Sequence, residues 1–346
     1  MTMRSIEERA DFWYTLHAFR GRSMVLRRIH RNASGDRRHD QLNGSYRKQE
    51  IQQMSTTKAK LLLIAVFIAR GTSFLFSKVL LQSLSPTSIL AVRFCLAFLV
   101  LAAVFFKKLR NCDRAAMRGG ILLGALYTVC MMFEMYGLRL VDTGVASLIE
   151  NMAIVLVPIY VAVLTRSMPR KKTILCASLA VVGVGCLSLT QNDSPGSGLG
   201  ILLTILAAMT YAVCILTTEK VSRQADPITI GIIQLGTMGA LSLIISLADG
   251  SFAVPQTGTQ WTMLLLLVLL CSCFGFAFQP MGQKYVPAET AAVFTVVNPL
   301  TASILGVTVA REEISGMKLL GFILILMALL LYNTQLKTVE KKRTYG

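Results

Sequence analysis

The sequence predicts an all-α membrane protein of ten transmembrane helices arranged as two inverted five-helix repeats. Composition, a recurrence of apolar runs and an internal echo between the two halves carry that expectation. Of 346 residues, 54% are hydrophobic and only 15% charged, with a mean hydropathy of +0.59. Soluble domains carry about 25% charged residues. Apolar runs of about 20 residues, enough at ~1.5 Å per residue to cross a ~30 Å hydrocarbon core, recur from Leu61 onward.

In order, the expected spans are 61–81, 87–106, 118–138, 144–164, 172–190, 197–217, 227–247, 261–281, 289–309 and 315–335. Short connections make sequential spans antiparallel, and several carry turn residues, as in "SLSPTS", "QNDSPGSG", "ADPI" and "YVPAET". Lys107, Lys108, Arg110, Arg114 and Arg118 lie between spans two and three. Arg166, Arg170, Lys171 and Lys172 lie between four and five, and Lys220 and Arg223 between six and seven; the opposite loops hold Arg139, Arg311 and Lys318. Lys and Arg are retained on the cytoplasmic side, so both termini are expected inside. The same bias and the basic N-terminus account for most of the net charge of +17, and no nucleic-acid partner is expected.

Residues 1–57 read as a basic, disordered extension containing His17, His30 and His39, and residues 337–346 as a basic cytoplasmic tail. The extension has two readings: a tail touching anionic lipid, or upstream sequence before a natural start at Met54 ("MSTTKAKLLL"), which is preferred. It lacks a signal-peptide pattern, because the following span is full length and no small-residue cleavage site follows.

The repeats are expected at 58–192 and 193–336. "SKVLLQSLSPTSI" echoes "EKVSRQADPITI", and "GLRLVDTGVASLI" echoes "QKYVPAETAAVF". Five is odd, so the second copy enters the membrane from the opposite side. Inverted repeats are the signature of alternating-access carriers, with a binding site near the midplane.

The stretches "GTSFLFSKVLLQSLSPTSILAVRF", "YGLRLVDTGVASLIENMAIVLVPIYVAVL" and "QKYVPAETAAVFTVVNPLTASILGVTVAREEIS" resemble the EamA-domain permeases of the drug/metabolite transporter superfamily, over about residues 58 to 336. The resemblance implies a ten-helix permease of the bacterial cytoplasmic membrane, moving small metabolites or drugs on a gradient. Glu134 and Glu150 depart from the uncharged family pattern, so the resemblance assigns them no role.

A carboxylate at the centre of a membrane helix costs roughly 2.5–3.5 kcal/mol on insertion scales. Lys78, Arg93, Glu134 and Glu150 are all expected roughly 5–10 Å outside the midplane at ~1.5 Å per residue. Two readings stand side by side: a static salt-bridge layer with snorkelling bases, or a substrate or proton site with Glu150 as principal acid and Glu134 as its partner nearer the surface. A neutral carboxylic acid is the state that proton coupling would use. Pro158 and Pro299 are expected to break spans four and nine by removing donors to Ile154 and Thr295. Asn298 is expected in the resulting cavity, with Gln279 and Gln283 as vestibule candidates near the inner end of span eight.

"GGILLG" and "VVGVG" read as packing patches, and Met131, Met132 and Met135 as adaptable filler. The eight cysteines show no metal spacing. No catalytic residue, metal or cofactor is expected: no histidine lies in the bundle, and H-E-x-x-H, G-x-S-x-G and P-loop motifs are missing. The expected partners are a small-molecule substrate and the bilayer, with a proton or other coupling ion and a homodimeric copy left open. An intramembrane enzyme and a non-transporting receptor are the alternatives.

Overall fold

The computed structural model describes residues 54–166, 174–176, 178–179, 182–183, 186, 196–295, 297–309, 311, 315–317, 319–328 and 331. Much of expected span five, the basic tail and nearly all of the N-terminal extension lie outside the described residues. Every regular element among those described is helical. In order they are α1 (Thr56–Leu80), α2 (Pro86–Val104), α3 (Phe106–Arg110), α4 (Arg114–Leu140), α5 (Thr143–Glu150), α6 (Ala153–Leu164), α7 (Ser197–Ser222) and α8 (Pro227–Ala248). Then come α9 (Gly258–Leu266), a π-helical segment (Leu267–Phe276), α10 (Ala277–Gln283), α11 (Ala288–Phe294), α12 (Val297–Thr308) and α13 (Leu319–Ala328).

Eight helical stretches among the described residues are long and apolar enough to cross a membrane. They correspond to expected spans one to four and six to nine. Spans one to three are single helices, as are α7 in the sixth position and α8 in the seventh, whereas spans four, eight and nine are each assembled from shorter pieces. In the tenth position the described helix, α13, is shorter than a full span.

Local sequence sets the helix starts. Ser85 and Asp226 each cap a helix that begins with proline, the Ser85 hydroxyl accepting from the Ser88 amide at 3.1 Å and the Asp226 carboxylate from the Thr229 amide at 3.0 Å. Proline at the first helical position forfeits no helical hydrogen bond. The two caps occupy matching places in the two halves. Asp113 caps α4, and Thr257 with Gln260 forms a reciprocal capping box on α9.

Exposure is inverted relative to a soluble bundle. Leu99, Val104, Ile121, Val129, Ile244 and Leu269 face outward, whereas Arg70, Arg93, Glu134, Glu150, Asn151, Gln234, Gln279 and Gln283 are buried. A lipid solvent explains both halves of that pattern.

α4 packs along α7, α2 along α8, and α1 against α12 and the π-helical segment. The Gly119–Gly124 patch meets α7 and α8 through Val221, Ile233 and Thr237, matching its expected packing role. Corresponding glycines make corresponding contacts: Gly137 lies against Thr204 of α7, and Gly282 against Leu63 of α1. The α2–α8 pair is tied at both ends. At one end the hydroxyls of Ser85, Thr87, Ser88, Ser246 and Ser251 interlock, with Thr87 and Ser251 at 2.7 Å. At the other, Lys108 meets Asp226 at 3.3 Å. Partial burial works against ionisation of Asp226, but the Thr229 hydroxyl and amide together with Lys108 outweigh it and hold the carboxyl below its usual range.

α8 comes close to α10 at Gly231, where an added Cβ would stand 2.5 Å from the Ala277 carbonyl oxygen and 2.9 Å from its Cα. Those are backbone atoms and cannot turn aside. Gly231→Ala should lower stability by about 1–3 kcal/mol, the usual cost of overpacking. Gly258→Ala, with open space around it, should be near neutral; thermal unfolding in detergent compares the two.

Candidate substrate-binding site

The centre of the bundle is organised around a guanidinium that sequence reasoning passed over. Arg70 lies about 21 Å from the start of α1 at ~1.5 Å per residue and is 4% exposed. Its Nη1 donates to the Tyr211 hydroxyl at 3.0 Å and to Gln279 Oε1 at 2.7 Å. Gln279 Nε2 in turn donates to the Tyr127 hydroxyl at 3.0 Å. Four elements, α1, α4, α7 and α10, are thereby joined by one polar chain.

Aromatic faces complete the cage. The Arg70 Cζ sits 4.3 Å from the Phe276 ring centroid and 4.9 Å from that of Tyr211. The Arg93 Cζ lies 4.9 Å from the Phe94 centroid and 5.7 Å from Phe276. Phe276 therefore stands between two cations, and a desolvated cation–π contact is worth ~2 kcal/mol. Tyr127 and Phe94 meet Phe276 edge to face, at 5.4 and 5.6 Å. Arg93 Nε donates to the Ser272 hydroxyl at 2.7 Å. Ser272 and Phe276 both belong to the π-helical segment, whose wider turn presents them to α1 and α2.

Glu134 and Glu150 are both buried, 3% and 2% exposed, and each lies within electrostatic reach of the other. Both lie in electrostatic reach of Arg70, and Glu134 also of Arg93. No arginine–glutamate pair of this layer closes to ion-pair distance among the described residues. The layer is neutral in formal charge but not knotted into salt bridges. Arg93 Nη2 and Glu150 Oε2 are buried without a hydrogen-bond partner.

The structure thus brings together Glu134, Glu150, Arg93 and Gln279. Gln279 belongs to the polar chain itself, and Glu134 and Glu150 are buried alike. Lys78 stands apart. Its Nζ donates to the Leu138 and Val141 carbonyls at 2.8 and 2.7 Å, tying α1 to the end of α4. Asn298 is buried with Oδ1 unpartnered, and its backbone abuts Gly71. Gln283 is buried away from this chain, both amide atoms unpartnered.

The two interrupted spans differ from expectation in where they break. α6 runs through Pro158 to Leu164, and the interruption lies earlier, at Asn151 and Met152. There the Asn151 amide and Nδ2 both return to the Ser147 carbonyl, at 3.1 and 2.7 Å, and close α5. The ninth span breaks between Phe294 and Val297, with the Asn298 amide donating to the Thr295 carbonyl at 2.9 Å, four residues before Pro299. Register matters here: placing Val141 on Val286 sets Gly137 on Gly282, Glu134 on Gln279 and Glu150 on Thr295. Placing Pro86 on Pro227 sets Arg93 on Gln234. The first half carries the charges, and the second answers with neutral polar groups.

Among the missed residues, Arg70 had a readable signal, a second cation beside Lys78 within the first spanning run. Tyr127, Tyr211 and Ser272 had none, since such residues occur throughout membrane helices.

A helical bundle that turns apolar side chains to lipid and keeps a charged, hydrogen-bonded layer inside has the construction of a multi-pass membrane transporter. The chain matches the EamA-like transporter family over residues 57–189 and again over 198–334, and it belongs to that family. It is 26% identical to an uncharacterized transporter of Archaeoglobus fulgidus, over 80% of this chain and 85% of that protein. It is 24% identical to the uncharacterized transporter YvbV of Bacillus subtilis, over 83% and 95%. It is 25% identical to the threonine/homoserine exporter RhtA of Salmonella typhimurium, over 77% and 88%. One solved crystal structure superposes with a TM-score of 0.60 at 16% identity, over 83% of this chain and 100% of that chain, a likeness of fold.

Tyr211→Phe removes a hydrogen bond to a buried cation and should cost about 1.5–3 kcal/mol, whereas Tyr127→Phe removes a neutral one and should cost about 0.5–1.5 kcal/mol. Thermal unfolding in detergent should rank them in that order; no loss from Tyr211→Phe would show that its hydroxyl does not hold Arg70.

Proposed function

We propose that this membrane transporter moves small polar metabolites across a bacterial cytoplasmic membrane by alternating access between two inverted five-helix repeats, 58–192 and 193–336, driven by a gradient. The observation that carries the reading is the buried layer of two arginines and two glutamates where two interrupted spans meet. Neutral overall yet unpaired, such a layer exchanges partners at low cost, as a carrier must when it loads and unloads. Matching glycine contacts at Gly137 and Gly282 support the repeat, since equivalent helices pack equivalently across the two halves.

In this reading Arg93 Nη2 is the donor left for an acidic group of the substrate, and Arg70 is the fixed element around which the layer is built. The name of RhtA, a threonine/homoserine exporter, makes amino acids the first class to test. Glu150 is the principal acid of the coupling machinery, at the end of α5 and beside the break, and Glu134 supports it. Saturable amino-acid countertransport in proteoliposomes is the direct test, since neither an intramembrane enzyme nor a receptor yields it.

Glu150→Gln keeps shape and hydrogen-bonding capacity while deleting the charge. The variant should reach the membrane normally and keep exchange, but lose transport driven by a pH or sodium gradient; Glu134→Gln should be milder. Wild-type gradient-driven transport by a stable Glu150→Gln protein would refute the coupling role. If the acids serve only to balance the arginines, the variant should instead lose abundance.

The basic loops support an orientation with both termini in the cytoplasm. A cysteine introduced at Gln256 should react with an impermeant thiol reagent added outside intact cells, and one at Lys107 only after permeabilisation. The reverse pattern would invert the topology.

A further inference from the structure

The interruption between α5 and α6 holds more unsatisfied acceptors than a carboxylate alone accounts for. Glu150 Oε2, Asn151 Oδ1 and Asn298 Oδ1 are all buried without a hydrogen-bond partner, on residues 2%, 0% and 2% exposed. All three belong to the ends of half-helices at the two breaks. α5, which ends at Glu150, packs against α12, which begins at Val297. Gly71 of α1 bridges the two: its neighbour Arg70 lies in electrostatic reach of Glu150, while a Cβ on Gly71 would stand 2.9 Å from the Asn298 carbonyl oxygen. The Asn151 amide nitrogen is committed to the Ser147 carbonyl at 2.7 Å, which leaves its oxygen as the free end.

We propose that the paired breaks form a binding site for a small monovalent metal cation, sodium in the first instance, with Glu150 Oε2, Asn151 Oδ1 and Asn298 Oδ1 as its side-chain ligands. The chemistry of the three atoms selects the ligand. They are acceptors only, so they cannot satisfy one another, and each costs free energy when buried unpaired. A proton on the carboxyl can be shared with one amide oxygen and leaves the other unpartnered, whereas a hard cation takes carboxylate and amide carbonyl oxygens together. The C-terminal end of α5 adds the negative end of its dipole at the same place, an arrangement that interrupted transporter helices use for coupling ions. Arg70 and Arg93 already balance the two carboxylates, so every further positive charge is uncompensated, which favours a monovalent over a divalent ion.

This site deepens the carrier reading by naming its coupling ion, and binding tests it without flux. The full chain in lipid nanodiscs should bind radioactive sodium in a single saturable class, with choline chloride holding ionic strength constant. Asn151→Ala and Asn298→Ala should each weaken binding by roughly tenfold or more, at least the loss that follows removal of a supporting partner. Asn298→Asp adds a carboxylate without changing shape and should tighten binding, which keeps the test decisive if either alanine variant folds poorly. No saturable sodium binding by folded wild-type protein overturns the proposal. So does binding of methylammonium in its place, which would assign the three oxygens to an organic ammonium group. Sodium binding without any countertransport would sink the carrier reading alone, and countertransport without sodium binding would sink this site alone.

Discussion

The constraint on which the rest of the bundle depends is the burial of the Arg70 guanidinium far from either end of α1. Such a group cannot shed its proton and cannot be left unsolvated, so the surrounding helices must replace water with fixed groups. Tyr211 and Gln279 accept from it, Phe276 and Tyr211 present ring faces, and Glu134 and Glu150 supply the balancing charge at a distance. Because these groups come from α4, α5, α7, α10 and the π-helical segment, satisfying one cation fixes the mutual placement of most of the core. The hydrogen bond from Gln279 to Tyr127 extends the same network to α4.

That placement requires backbones to come close, and small residues allow it. The Gly119–Gly124 patch, Gly137, Gly231 and Gly282 stand where neighbouring helices touch. In lipid, apolar side chains gain nothing by choosing helix over tail, so close packing and interhelical hydrogen bonds carry association. The π-helical segment serves the same end differently, its wider turn letting Ser272 reach Arg93 while Phe276 enters the space between the two arginines.

The two halves share a plan and divide the chemistry. Matching prolines start α2 and α8, and matching glycines make matching contacts, yet Glu134, Glu150 and Arg93 face Gln279, Thr295 and Gln234 in the register of the repeat. The layer thus takes its charge from one half and neutral hydrogen-bonding groups from the other. Both interruptions fall in corresponding helices, but they are built differently: Asn151 folds back on α5, whereas Pro299 withholds the donor that would have continued α11.

The sequence by itself determined the solvent, the helix starts and the family. Transfer of one helix into lipid depends on its own side chains, so spanning runs, caps such as Ser85–Pro86 and the repeat are local and can be read along the chain. It also determined that Glu134, Glu150 and Arg93 would need explanation, because a buried charge is costly wherever it falls. Only the tertiary structure decided which groups answer them. Arg70 finds Tyr211 and Gln279 across most of the bundle, Lys78 reaches the Leu138 and Val141 carbonyls at the end of α4, and the fourth span breaks at Asn151 rather than at Pro158. Those outcomes rest on contacts between helices distant in the chain, and no periodicity or composition encodes which polar face meets which.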